Sequence, residues 1–323
     1  MPIMRGEKKR KEAEQMTMTN PRYVKFHNGF SGVLLRGKQP VTIADFDLSR
    51  HMHRAVLLAS MLESGHWGTV QSYDGAGISG GLIHSIAVLP KTLEQGDLWK
   101  LIRRILYNSP DKISIECQRL RLALGDEGWS LLEDGVLRYN SGVAVFGRVI
   151  RDVLAPPDGK VPPRGDQLDV AKEWATRFNE VLAVGQATQI EFAVEWMARG
   201  HRVEELAVYR HGMSIGAAPI DSVIGILSNG SFSLSPALDL GMCIYHAFSV
   251  NGPTPASGAL MKAGTPGKGT ILAFAQRLVQ KLRESPYGTW ATKRYDATRT
   301  AVIKMDLWER QLVNAIIPKR APA

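Results

Sequence analysis

Two carboxylates in segment 56–84, VLLASMLESGHWGTVQSYDGAGISGGLIH, have the types and spacing for acid/base chemistry. Glu63 follows Ala59 by four positions and Val56 by seven, which puts it on the apolar face of a helix. A carboxyl group against apolar walls is costly to ionise, and a proton donor must hold its proton near neutral pH. Asp74 sits among glycines, where backbone N–H groups and water keep a carboxylate charged. Carboxyls in such unlike surroundings form the acid and base pair of glycosidic hydrolysis. Ser79 is placed to hold a water for Asp74 to activate. Trp67 and Tyr73 flank the pair and can stack on sugar rings, although core packing accounts for them equally well. Gln71, His84 and Asn251 complete the candidate substrate contacts. The bland alternative makes Glu63 a helix-end charge and Asp74 a turn former, since Asp-Gly is common in turns.

The elements that must position these groups follow from periodicity. Leu48, Met52, Ala55, Val56, Ala59 and Leu62 recur at helical spacing and predict a helix over 47–64, with Asp47 as N-cap and Gly65 as terminator. Residues 68–88 predict a β-hairpin or small meander stopped by Pro90. Further helices are expected over 93–107, 167–184, 186–199, 236–250, 270–284 and 296–316. Segments 211–236 and 251–269, rich in Gly, Ser and Pro, read as irregular. The organisation expected is a basic N-terminal arm over 1–20, a first lobe over 21–154, a Pro-rich linker over 155–165 (APPDGKVPPRG) and a helical second lobe over 166–323.

Glu63, followed by an aromatic and Gly-containing turn and then Asp74-Gly75-x-Gly77-x-Ser79-x-Gly81, resembles the active-site hairpin of family 46 chitosanases. It is also similar to lysozyme-like domains of phage and toxin proteins, where His84 stands in the place of a Gln. A second patch, Phe232–Gly252, resembles a later helix of those domains through Val250, Asn251 and Gly252, with His246 where an Asp is usual. The resemblance implies an α+β, mainly α-helical, lysozyme-like two-lobed fold with a small β-hairpin or sheet beside the cleft. It further implies Glu63 as acid, Asp74 as base, Ser79 as the water-positioning hydroxyl, and inversion. The two carboxylates stand closer in sequence than in the chitosanases.

The 323 residues carry a formal charge of +9, with 44% hydrophobic and 22% charged residues, ordinary for a globular chain with a sizeable core. No run approaches the roughly 18 apolar residues of a membrane span. The basic residues Arg5–Lys11 are followed by no apolar stretch, so synthesis in the cytoplasm without a signal peptide is expected. Cys117 and Cys243 make no metal motif and are expected as buried thiols. No metal and no cofactor is called for. His51 and His53, two apart on a helix, face different sides. Glu191 and Glu195, with Trp196 beside them, read as a solvated face. Gly75–Gly80 matches G-x-G-x-x-G without the flanking strand and helix of a dinucleotide site, and Gly267-Lys268 lacks the rest of a P-loop.

The positive charge suits an anionic cell wall better than cationic chitosan. The function expected is a peptidoglycan hydrolase, muramidase-like, acting on a β-1,4-linked aminosugar polymer. Its setting would be a phage or injection-system component, virion-associated or delivered to the periplasm or cell wall, with virion or injection-machine proteins as partners of the N-terminal arm. The alternatives are a chitosanase and a non-enzymatic virion or tail protein that keeps a degenerate lysozyme-like fold. A nucleic-acid module ranks last, because no Lys/Arg stripe extends beyond the arm.

Overall fold

The structure, a computed structural model, describes residues 21–25, 31–71, 79–86, 96–108, 129–131, 137–139, 165–266, 269–286 and 289–320. The fold is α+β and mainly helical, with eleven α-helices and two antiparallel sheets among the described residues. None of these helices is long and apolar enough to cross a membrane. The arm 1–20 and residues 155–164 of the linker lie outside the described residues, and Gly165 opens a helix.

The chain forms two compact units. One gathers 1–40 and 66–189, the other 41–65 and 190–323. This grouping crosses a simple cut at 155–165. The helix over 51–63 joins the C-terminal helices, and 165–189 joins the sheet.

In the first unit five strands run in sequence order, β1 (Arg22–Lys25), β2 (Ser31–Leu35), β3 (Val70–Gln71), β4 (Ser79–Gly80) and β5 (Ser85–Ile86), all antiparallel. Val70 pairs with Gly80 and Gln71 with Ser79, so the expected hairpin is present, while its tip, 72–78, lies outside the described residues. A separate ribbon pairs β6 (Trp129–Leu131) with β7 (Leu137–Tyr139). Helices α1 (Asp97–Asn108) and α2 (Gly165–Val184) cover the five-stranded sheet, burying Leu98, Leu101, Ile102, Phe178 and Leu182. Gln189 pins the turn after β4. Its side-chain carbonyl accepts the Leu82 N–H at 2.9 Å and its amide donates to the Leu182 carbonyl at 2.6 Å. Gly81, at φ +81°, sits where a Cβ would come within 2.8 Å of the Gln189 carbonyl oxygen. Only glycine fits both that backbone and that gap.

The second unit is helical. Helix α3 (Gln186–Arg199) leads into it. Helix α4 (His51–Glu63) begins later than the spacing predicts, because Asp47 accepts hydrogen bonds from Ser49 N–H and Oγ and forms a turn before the helix instead of capping it. Gly65, at φ +65°, ends it as expected. The burial of α4 exceeds one stripe: His51, Met52, His53 and every residue from Ala55 to Ser60 are buried.

Helices α5 (Val203–Gly212) and α6 (Ile220–Asn229) follow. The second corrects the irregular reading of 211–236. Val223 and Leu227 supply a buried face that outweighs Gly225, and Gly230 closes the helix at φ +64°. Helix α7 (Pro236–Ser249) is buried continuously from Leu238 to Phe248 and packs against α4. Helix α8 (Pro253–Ala263) corrects the loop expected over 251–269: Gly252 is its N-cap, and Pro253 occupies a first-turn position where no N–H is needed. Helix α9 (Ile271–Arg283) packs on both α7 and α8, and Thr270 caps it by accepting the Ala273 N–H at 3.1 Å. The single final helix expected is two, α10 (Thr289–Met305) and α11 (Arg310–Ile316), broken at Asp306 with φ +52°.

Candidate active site

Glu63 is the last residue of α4. Its carboxylate Oε1 accepts from the Asn251 side-chain amide and from Arg294 Nη2, the latter at 2.8 Å. The Glu63 and Arg294 side chains are each 8% exposed. Thus the wall around Glu63 is not only apolar. A guanidinium and an amide face the carboxylate, and both are donors to its charged form. Asn251 stands where α7 has just ended, and Gly252 N–H bonds back to the Phe248 carbonyl at 3.1 Å, which fixes the turn. Arg294 also donates to the Ala247 carbonyl at 2.8 Å and lies over the Trp290 ring at 5.9 Å.

The sequence reading missed Arg294, although a signal exists. Ala291, Arg294, Tyr295, Thr298, Ala301, Val302 and Met305 are the buried positions of α10, and a lone charge within such a stripe needs a buried partner.

The remaining candidates belong to the first unit or lie outside the described residues. Asp74 and Tyr73 lie outside them. Ser79 is buried in β4 and Gln71 in β3. Gln71 Nε2 lies 3.3 Å from His84 Nδ1, and His84 takes φ +50°, a conformation uncommon for a non-glycine residue. Trp67 is 2% exposed. It is a core residue and offers no open face for a sugar ring. Its backbone carbonyl fills the space a Cβ on Gly37 would need, so the chain there is close-packed.

A second carboxylate in the helical unit is set deeper. Asp239, in the first turn of α7, accepts from His51 Nδ1 at 2.6 Å, Arg54 Nη2 at 2.6 Å and Trp308 Nε1 at 2.7 Å. Burial alone would push its carboxyl upward, but His51 and Arg54 outweigh that and hold it below the usual range. The same burial, with Asp239 nearby, keeps the Cys243 thiol well above its usual value, so this cysteine is an inert buried thiol. His51 Nε2 is 3.3 Å from Tyr209 Oη, which hydrogen-bonds His246 Nε2. Burial, then His201 and His51, keeps His246 well below its ordinary value.

Glu191 and Glu195 lie half-exposed on one face of α3, as a solvated face requires. They line a cavity of 620 Å³ with Arg50, Arg199 and Ser228. Each is paired, Glu191 with Arg50 at 2.9 Å and Glu195 with Arg199 at 3.0 Å. His53 Nε2 is 3.3 Å from Glu191 Oε1 but off the hydrogen-bonding direction.

Comparison of the chain with family models, curated proteins and solved structures gives no match.

Proposed function

We propose that this protein is a glycoside hydrolase of lysozyme-like fold that cleaves a β-1,4-linked aminosugar polymer, peptidoglycan in the first place, with Glu63 as general acid. One observation carries this reading. Glu63 and Asn251, singled out in separate segments of the sequence, meet in one hydrogen bond at the end of the α4 helix, and Arg294 joins them.

The chemistry follows from what these donors do. As a general acid gives up its proton to the leaving glycosidic oxygen, negative charge grows on its carboxylate. Donors that strengthen as that charge develops lower the barrier. Asn251 and Arg294 are placed to receive it. These two donors cover the Glu63 carboxylate, so the polymer must displace at least one of them to bring its glycosidic oxygen to it. Asp74 is the proposed base and Ser79 the proposed hydroxyl that holds its water. Inversion requires room for that water between the two carboxyls.

The positive charge favours the anionic wall over chitosan. Delivery by a phage particle or an injection system, with the arm 1–20 engaging its proteins, belongs to the same proposal. A second reading, a non-enzymatic virion component of the same shape, is favoured by one feature: a Glu63–Arg294 pair is also what a static scaffold keeps.

The test uses purified peptidoglycan and, in parallel, chitosan. Wild type should lower the turbidity of the wall suspension and release muropeptides with new reducing ends. Products from chitosan alone would shift the substrate. Products from neither polymer would leave the scaffold reading.

A further inference from the structure

We propose that His201, Glu205 and His246 form a buried site for one divalent transition-metal ion of the zinc class, joining the start of helix α5 to the last turn of helix α7.

Two buried carboxylates of the helical unit are satisfied in different ways. Asp239 is neutralised by the Arg54 guanidinium and also receives the Trp308 indole N–H. Glu205 is 2% exposed, yet among the described residues no Lys or Arg side chain lies within ion-pair distance of it. Its neighbours are His201 Nδ1 at 2.5 Å, Tyr245 Oη at 3.3 Å, the Arg202 backbone N–H at 3.4 Å and His246 Nε2 at 3.9 Å. A buried carboxylate without a fixed cation is costly, and a bound cation removes that cost.

Geometry fits the same answer. One donor atom from each of His201, Glu205 and His246 lies within 4.8 Å of the others. Zinc bonds of about 2.0–2.2 Å in a tetrahedron space the ligands by about 3.3–3.6 Å. The 2.5 and 3.9 Å separations bracket that spacing, so side-chain shifts of about 1 Å would bring the donors to bonding range. Moreover, the His201 side chain is 1% exposed, and its Nε2 has no hydrogen-bond partner among the described residues. His201 would offer the ion Nδ1, the nitrogen that faces Glu205, and no Lys or Arg pairs with this carboxylate among the described residues. Two imidazoles and a carboxylate are ligands suited to zinc. Tyr209, now on His246 Nε2, would turn its hydroxyl to His51 Nε2, 3.3 Å away, or take the fourth position. The neighbouring group of His51, Asp239 and Cys243 also converges, but Arg54 already supplies its cation.

The test takes the tag-free full chain, stripped with a chelator and then titrated with Zn²⁺ or Co²⁺. About one equivalent should survive gel filtration, Co²⁺ should give the intense visible bands of a tetrahedral site, and Zn²⁺ should raise the melting temperature. His201→Gln, at the site's edge and checked for native circular dichroism, should abolish all three. Cys243→Ser should change none. Three results would each overturn the proposal: no retained metal and no thermal shift in wild type, undiminished binding in folded His201→Gln, or a thiolate-to-cobalt band that Cys243→Ser removes.

Discussion

Asp239 and Glu63 are carboxylates of the same helical unit, and they are held for different ends. Asp239 is enclosed by three donor groups, and its two oxygens are fully used inside the core. Glu63 stands at a helix terminus, where one oxygen receives Arg294 and the exposed Asn251. The first arrangement fixes helices to one another. The second places a carboxylate at a helix end, with one of its donors, Asn251, exposed. Burial and charge alone do not separate a structural carboxylate from a chemical one. The exposure of the donors around it is the difference that we propose to matter.

The sharpest way to break this comparison is Asp239→Asn. Asparagine offers one acceptor to donors that now share two, and leaves Arg54 uncompensated. A loss of about 3–5 kcal/mol in unfolding free energy is expected from urea titration. A loss below about 1 kcal/mol would mean that Asp239 is no more structural than Glu63.

Acid titration reads the same carboxylate. Its folded-state value is lowered, so its stabilisation is complete above the unfolded value of about 3.9 and disappears as pH falls through the lower folded value. Unfolding followed by circular dichroism should therefore steepen below about pH 4 in wild type. That limb should flatten in Asp239→Asn.

A smaller effect is expected for Trp308→Phe. It removes one hydrogen bond to Asp239 while keeping most of the buried ring, at a cost of about 1–1.5 kcal/mol. Smallest of all is Asn251→Ala. This exposed residue should change stability by under about 0.5 kcal/mol while lowering the hydrolytic rate about 10-fold or more. A stability loss as large as that of Trp308→Phe would make Asn251 a structural clasp instead.

Much of the frame is legible in the sequence because it is written in local signals. The apolar spacing of α4, its Gly65 stop and the strand pair around Gln71 and Ser79 all need only neighbours along the chain. Helices α6 and α8 escape that reading. Their Gly, Ser and Pro content suggests a loop, and only burial of Val223 and Leu227, or of Ala259 and Leu260, overrides it. The site shows the same division. Motif resemblance singles out Glu63 and Asn251, which the structure joins by a hydrogen bond, whereas Arg294 belongs to no motif and is identified by the partner it reaches far away in sequence. The buried histidines were equally opaque. His51 and His53 do face different sides of α4, but the buried partner of His51, Asp239, lies far away in sequence and no local pattern announces it.

The central claim is that Glu63 does chemistry. Its most direct test is the rate of reducing-end release from purified peptidoglycan by Glu63→Gln, measured on protein with native circular dichroism. Glutamine keeps the size and an acceptor for Arg294 but carries no acidic proton. The rate should fall by about 10²–10⁴ relative to wild type, with a stability loss of only about 1–2 kcal/mol. A folded Glu63→Gln protein that releases reducing ends at the wild-type rate would contradict the claim.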